Sequence, residues 1–216
     1  MLEKLIERTN AIEFYQDCNL KFISYSIKSH NKVEFLFSIN QISYDVPIEY
    51  EEWKISCENL KEFQGFENEI LMPYPKIRLF DHHSLLWKFN EKHFECDINN
   101  YTNDVSKLIG DLYLELEDKT GNWIRINDYI WNIRDYFDED YNRSLILPES
   151  LAMIVKNVFT KHHLDFKILN NDSQDKWISE QPSKLLMFGN NDVSPYSFNL
   201  HQHYIISENF VVERIK

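Results

Sequence analysis

His201 and His203 stand two residues apart, the spacing that puts both imidazoles on one face of an extended strand, within reach of a single metal ion. Catalytic zinc sites typically take three protein ligands and a water, so a third donor has to come from elsewhere, with His162, His163 and Asp192 as candidates. This pair supports one reading of the chain, a metal-dependent hydrolase. The other reading places both histidines at the exposed start of a strand. His162 and His163 close a predicted helix, where an imidazolium is favoured by the helix dipole. His93 and Cys96, three apart in a predicted strand, face opposite sides and form no thiolate–imidazole pair. Cys57 shares an apolar face with Trp53 and Leu60 and reads as core filling. The four glycines (65, 110, 121 and 189) are scattered. Phosphate-cradling loops, Rossmann turns and nucleophile elbows all need clustered glycine, so these are excluded.

Asp81-His82-His83 follows a predicted strand and invites comparison with the DHH phosphoesterases, which hold metal with such a triplet. That family also needs an upstream Asp-x-Asp motif and a glycine-rich motif. The only earlier aspartates are Asp17 and Asp45, so the comparison fails and the triplet reads as a polar turn.

Carboxylates are the abundant chemistry. Thirty-five Asp and Glu against 23 Lys and Arg leave a net charge of −12 over 216 residues. Nucleic-acid affinity rests on cations displacing counterions, so a polyanionic partner is disfavoured and a basic protein surface is the natural complement. Two acidic features suit recognition. One is the polar stripe of a predicted helix over 102–118, with Asp104, Asp111, Glu115 and Asp118 facing solvent. The other is Asp135-Tyr136-Phe137-Asp138-Glu139-Asp140-Tyr141, where aromatics supply contact area and carboxylates pair with Lys or Arg. Asp135, Tyr136, Phe137, Asp138, Glu139, Asp140, Asp111, Glu115 and Asp118 are therefore the expected partner-binding residues. No catalytic residue and no cofactor is expected.

The elements that must position these groups alternate without regularity. An amphipathic helix from Leu2 to near Asp17 precedes strands over 20–27 and 32–39, joined by a Ser-His-Asn turn. A short strand over 42–46 ends at Pro47. Residues 49–64 show helical spacing, with Tyr50, Trp53, Cys57 and Leu60 on one face. Strand and turn patterns fill 76–80 and 82–96, and the 102–118 helix follows, N-capped at Thr102 or Asn103. Its apolar stripe is Val105, Leu108, Ile109, Leu112 and Leu116. Trp123–Ile126 reads as a strand, 134–143 as a loop, 144–147 as a strand and 148–163 as a helix with Pro148 at its first position. Strands over 164–169, 185–188 and 204–206 follow, then Phe210–Ile215 as a strand or short helix. The order predicts an α+β fold with mainly antiparallel sheet. It divides into an N-terminal lobe 1–134, an acidic-aromatic linker 135–147 and a smaller lobe 148–216, with one continuous unit an equal alternative. Three widely spaced cysteines, no secretion-type leader and no long apolar run imply a reduced, cytoplasmic protein without a membrane span.

Leu108-Ile-Gly-Asp-Leu-Tyr113 with Gly121-Asn-Trp-Ile124, and Tyr204-Ile-Ile-Ser207 with Phe210-Val-Val-Glu213, resemble segments of the immunity proteins of bacterial toxin–immunity systems, contact-dependent inhibition included. The resemblance covers about a quarter of the chain. It implies stoichiometric occlusion of a cognate, basic, nuclease-like toxin domain. An accessory protein that binds another basic protein has the same electrostatics.

Overall fold

Alternation builds the first hairpin. In β1 (Cys18–Ser29) Cys18, Leu20 and Phe22 are buried, and in β2 (Lys32–Gln41) Val33, Phe35, Phe37 and Ile39 form the facing apolar row. The two strands pair antiparallel across the turn at His30–Asn31, with Phe22 opposite Phe37. The computed structural model describes residues 1–11, 18–41, 50–66, 71–73, 76–98, 104–130, 133, 143–169, 181–189 and 203–216. Over these the chain is α+β with antiparallel sheets, as expected. The strand expected over 42–46 lies outside the described residues.

Residues 50–64 are a strand, β3 (Tyr50–Gln64), and not the expected helix. Trp53 and Cys57 are four apart, which is one face of a helix and also one face of a strand. The arbiter is Glu51, Trp53, Ile55 and Cys57, a run buried at every second residue. Paired to β2 it places Ile55 opposite Phe35 and Trp53 opposite Phe37, continuing the apolar row that β2 already presents. Tyr50, expected on the buried face, is exposed.

Contacts divide the chain into two units, Met1–His82 with Gln181–Ser194 and His201–Lys216, and His83–Glu180 with Pro195–Leu200. The division does not follow the expected boundary at 135–147, because pairing runs across that boundary in both units. In sequence, the second unit is an insertion between two strands of the first.

The first unit holds a seven-stranded sheet in the order β4-β1-β2-β3-β10-β9-β5, with β4 (Leu71–Pro73), β5 (Lys76–Phe80), β9 (Lys184–Gly189) and β10 (His203–Arg214). The expected strands at 204–206 and 210–215 are thus one long strand. Every pairing is antiparallel, so the two edge strands, β4 and β5, run in the same direction. Three peptide steps separate Pro73 from Lys76, a reach of at most about 11 Å. The two edges of the sheet are therefore close together, and the sheet is rolled into a barrel of six strand positions, one shared by β4 and β5. Phe37 on β2 and Phe188 on β9 confirm the rolling. Three strand spacings would hold them ~14 Å apart in a flat sheet, yet their rings stack at 5.1 Å.

A barrel of this size must be filled by side chains. Phe66, just past β3, sits fully buried against Phe22, Phe35, Phe37 and Phe188, with ring centroids 5.2–5.8 Å away. Gly65 makes that entry possible: its φ is +88°, and a Cβ there would lie 2.6 Å from the His203 ring. Upstream, Asn59 adopts a left-handed φ of 54°, donates its N–H to the Asn31 carbonyl at 2.8 Å and its side-chain amide to Glu208 at 2.8 Å. Beyond it β3 leaves β2 and follows β10 alone, with a bulge opposite Ile206–Ser207.

Helix α1 (Leu2–Asn10) packs on β5 and β10 through Leu5 and ends at Asn10, seven residues before the expected stop. Arg8 reaches the buried Glu51 carboxylate at 3.4 Å. Glu51 also accepts the Trp53 indole N–H at 2.8 Å and lies 3.8 Å from Arg214. One carboxylate thus joins α1, β3 and β10.

The second unit has a three-stranded antiparallel sheet, β7-β6-β8, from β6 (His93–Ile98), β7 (Arg143–Pro148) and β8 (Phe166–Leu169). Helix α3 (Glu149–Lys161) packs on all three strands, and α2 (Val105–Thr120) packs on α3. Leu108, Leu112 and Leu116 of α2 and Leu151, Val155, Val158 and Phe159 of α3 form its core with Cys96, Leu145 and Leu147. Asp104 caps α2, just past the expected Thr102 or Asn103, by accepting the Lys107 N–H at 3.0 Å. Glu91 caps α3 from outside the helix, taking the Ser150 N–H at 2.8 Å and its hydroxyl at 2.5 Å. Within the strand-and-turn segment expected over 82–96, Ser84–Leu86 and Trp87–Asn90 are short helical turns ahead of β6. The expected strand at 123–126 is a turn leading into a 3-10 segment, Ile126–Asp128.

Filling the barrel is the test of this architecture. Phe66→Ala should lower stability by about 3–5 kcal/mol, whereas Ile27→Ser on the exposed end of β1 should change it by less than about 0.5 kcal/mol. Urea unfolding of the two variants measures both.

Candidate functional site

Helix α2 carries the described part of the expected recognition site. Its periodicity places Leu108, Leu112 and Leu116 on one side, inward, and Asp111, Glu115 and Asp118 on a neighbouring stripe. That stripe is not simply turned to solvent. Asp111 lies 2.8 Å from His162 Nε2, and Glu115 lies 3.0 Å from Lys161 Nζ. Lys161 closes α3, where a cation also meets the negative pole of that helix, and His162 is the C-cap. The two acids therefore tie α2 to α3. Only Asp118 of the three stays well exposed, and Lys119, hydrogen-bonded to it at 2.8 Å, holds its carboxyl below the usual range. Asp135, Tyr136, Phe137, Asp138, Glu139 and Asp140 lie outside the described residues.

These pairings have no signal in the local sequence. Asp111 and His162 are 51 residues apart, and only the packing of α2 on α3 brings them together. The outer side of α2 carries Leu114 and Tyr113, apolar in type but off the expected apolar stripe. Leu114 is 65% exposed and Tyr113 42%, with the Tyr113 hydroxyl donating to Asn127 Oδ1 at 2.6 Å. The unit as a whole carries 18 Asp and Glu against 11 Lys and Arg.

His83, His203 and the three cysteines serve the scaffold. His203 packs edge-on against Phe66 at 5.4 Å and covers Gly65, while His201 lies outside the described residues. Among the described residues no three His, Cys, Asp or Glu side chains converge as a metal-ligand set. His83 packs against Trp123, and its Nδ1 accepts the Leu85 N–H at 3.2 Å. Burial pushes the imidazole down to about 4. All three cysteines are free and buried. Burial raises the Cys57 thiol strongly and pushes Cys96 up to about 12, with Asp97 and Glu95 adding to the latter. Thiols held protonated at neutral pH are neither nucleophiles nor ready metal ligands.

No helix among the described residues is long and apolar enough to cross a membrane. Comparison of the chain with protein-family models, curated proteins and solved structures returned no match.

Two measurements follow from these environments. A thiol reagent at about pH 8 should leave the native chain unmodified and label three thiols in denaturant. His83 has its effect in acid. The folded ring resists a proton down to about 4 while the unfolded ring accepts one near 6.5, so stability is lost as pH falls through that window. Burial shifts His93 in the same direction. Urea midpoints at about pH 7 and about pH 4.5 should show the loss, and His83→Asn should reduce it.

Proposed function

We propose that this chain is a non-catalytic binding protein that occludes a basic partner with its acidic surface, as an immunity protein does to a cognate nuclease-like toxin domain. The observation that carries the reading is the division of labour among its polar groups. The described thiols and the imidazoles of His83, His162 and His203 are absorbed into packing and internal pairs, while the acidic excess of the inserted unit is left for the surface. Basic active sites that hold phosphates attract such a surface over distance and gain specificity from it.

Asp118 and the 135–140 acids are the contacts in this reading. Asp111 and Glu115 act behind them, since His162 and Lys161 already engage their carboxylates. Free buried cysteines suit a reducing cytoplasmic setting.

The tagged full chain, recovered from its native cell and washed over a salt series, tests this. A small basic toxic domain should co-purify and dissociate as salt rises. Combined reversal of Asp118, Asp138, Glu139 and Asp140 to Lys should weaken capture at least about tenfold and flatten its salt dependence. Capture that ignores both salt and charge reversal overturns the reading. Recovery of a different basic protein would keep the electrostatics and replace the toxin.

A further inference from the structure

The side of α2 opposite its core carries four residues at the spacing of a helix-pairing seam: Lys107, Gly110, Leu114 and Glu117, three, four and three apart. All four are exposed. Leu114 is the most exposed large apolar side chain among the described residues of this unit. Gly110 faces open space, since a Cβ added there meets nothing within 4 Å. A glycine in the middle of an exposed helix weakens that helix, and no described residue of its unit crowds the position. The charges follow the same pattern. Asp111, Glu115 and Asp118 have ion partners within the unit, whereas Lys107 and Glu117 have none among the described residues. Each also sits at the helix pole of its own sign, Lys107 in the first turn and Glu117 in the last.

These features resolve together if the face meets a copy of itself. Residues 107 and 117, and likewise 110 and 114, are equidistant from Leu112. A two-fold axis at that level, with the helices antiparallel, puts Leu114 of each copy over Gly110 of the other and Lys107 of each beside Glu117 of the other. The apolar knob fills the notch, and both charges gain the partner and the helix pole they lack.

We propose that the chain self-associates through this antiparallel pairing of α2. The inference does not rest on the binding function proposed above, and it uses a different side of the helix. One short helix pair buries less than a standard interface, so the dissociation constant should be on the order of 10–100 μM.

Sedimentation of the full chain from roughly 5 μM to 1 mM reads it out. Native chain should pass from monomer to dimer. Leu114→Lys, Lys107→Glu and Glu117→Lys should each remain monomeric at about ten times the native midpoint, with near-ultraviolet circular dichroism unchanged. The decisive arm mixes the two charge variants. Lys107→Glu and Glu117→Lys, each repelling itself, should form a heterodimer when combined, because both cross-pairs become attractive. A native chain that stays monomeric at the highest concentration overturns the proposal. So does a dimer that survives Leu114→Lys, or charge variants that fail to pair on mixing.

Discussion

A six-position barrel leaves an interior that only large side chains can fill, and in this chain the closing piece is Phe66. Its ring touches residues from β1, β2 and β9, which a flat sheet would hold far apart. Much of the first unit serves that one insertion. Asn59 frees β3 from β2, the bulge against β10 turns it further, and Gly65 removes the Cβ that would strike His203. Glu51 then secures the other end of β3, holding Trp53, Arg8 and Arg214 around one buried carboxylate. A buried charge is tolerable there because its oxygens are engaged and its partners carry the opposite sign.

The first hairpin was legible because period-two alternation and a polar turn agree over both strands. The α2 and α3 stripes were legible for the matching reason at period 3.6. Residues 50–64 misled because Trp53 and Cys57 satisfy both periods, and because Glu51 breaks the apolar row that would have marked a strand. Closure of the barrel was beyond local reading. It depends on β4 and β5 lying at opposite edges of the pairing order, which no segment announces by itself. The same holds for the two units, whose composition does not change where the chain passes from one to the other.

Helix α2 shows how much a stripe of charge conceals until its neighbours are placed. Read alone, Asp111, Glu115 and Asp118 are equivalent carboxylates on one side of a cylinder. Packed on α3, two of them become cross-braces to Lys161 and His162, and the third, Asp118, stays exposed beside its neighbour Lys119. The exposed row through Gly110 and Leu114 is the reverse case, since it lies off the apolar stripe and stays at the surface although Leu114 is apolar. A surface row that weakens its own helix is where local and global preferences disagree.

The insertion of the second unit between β5 and β9 has a consequence for biosynthesis. Strands β9 and β10 emerge from the ribosome only after about a hundred further residues, yet β10 must seat along nearly all of β3. Until then the nascent barrel is a half-cylinder with β3 and β5 as raw edges, the state in which strands recruit neighbouring chains. Early folding of the inserted unit would shorten that exposure, because Trp53 and Arg214, 161 positions apart along the chain, need an ordered bridge to find each other quickly.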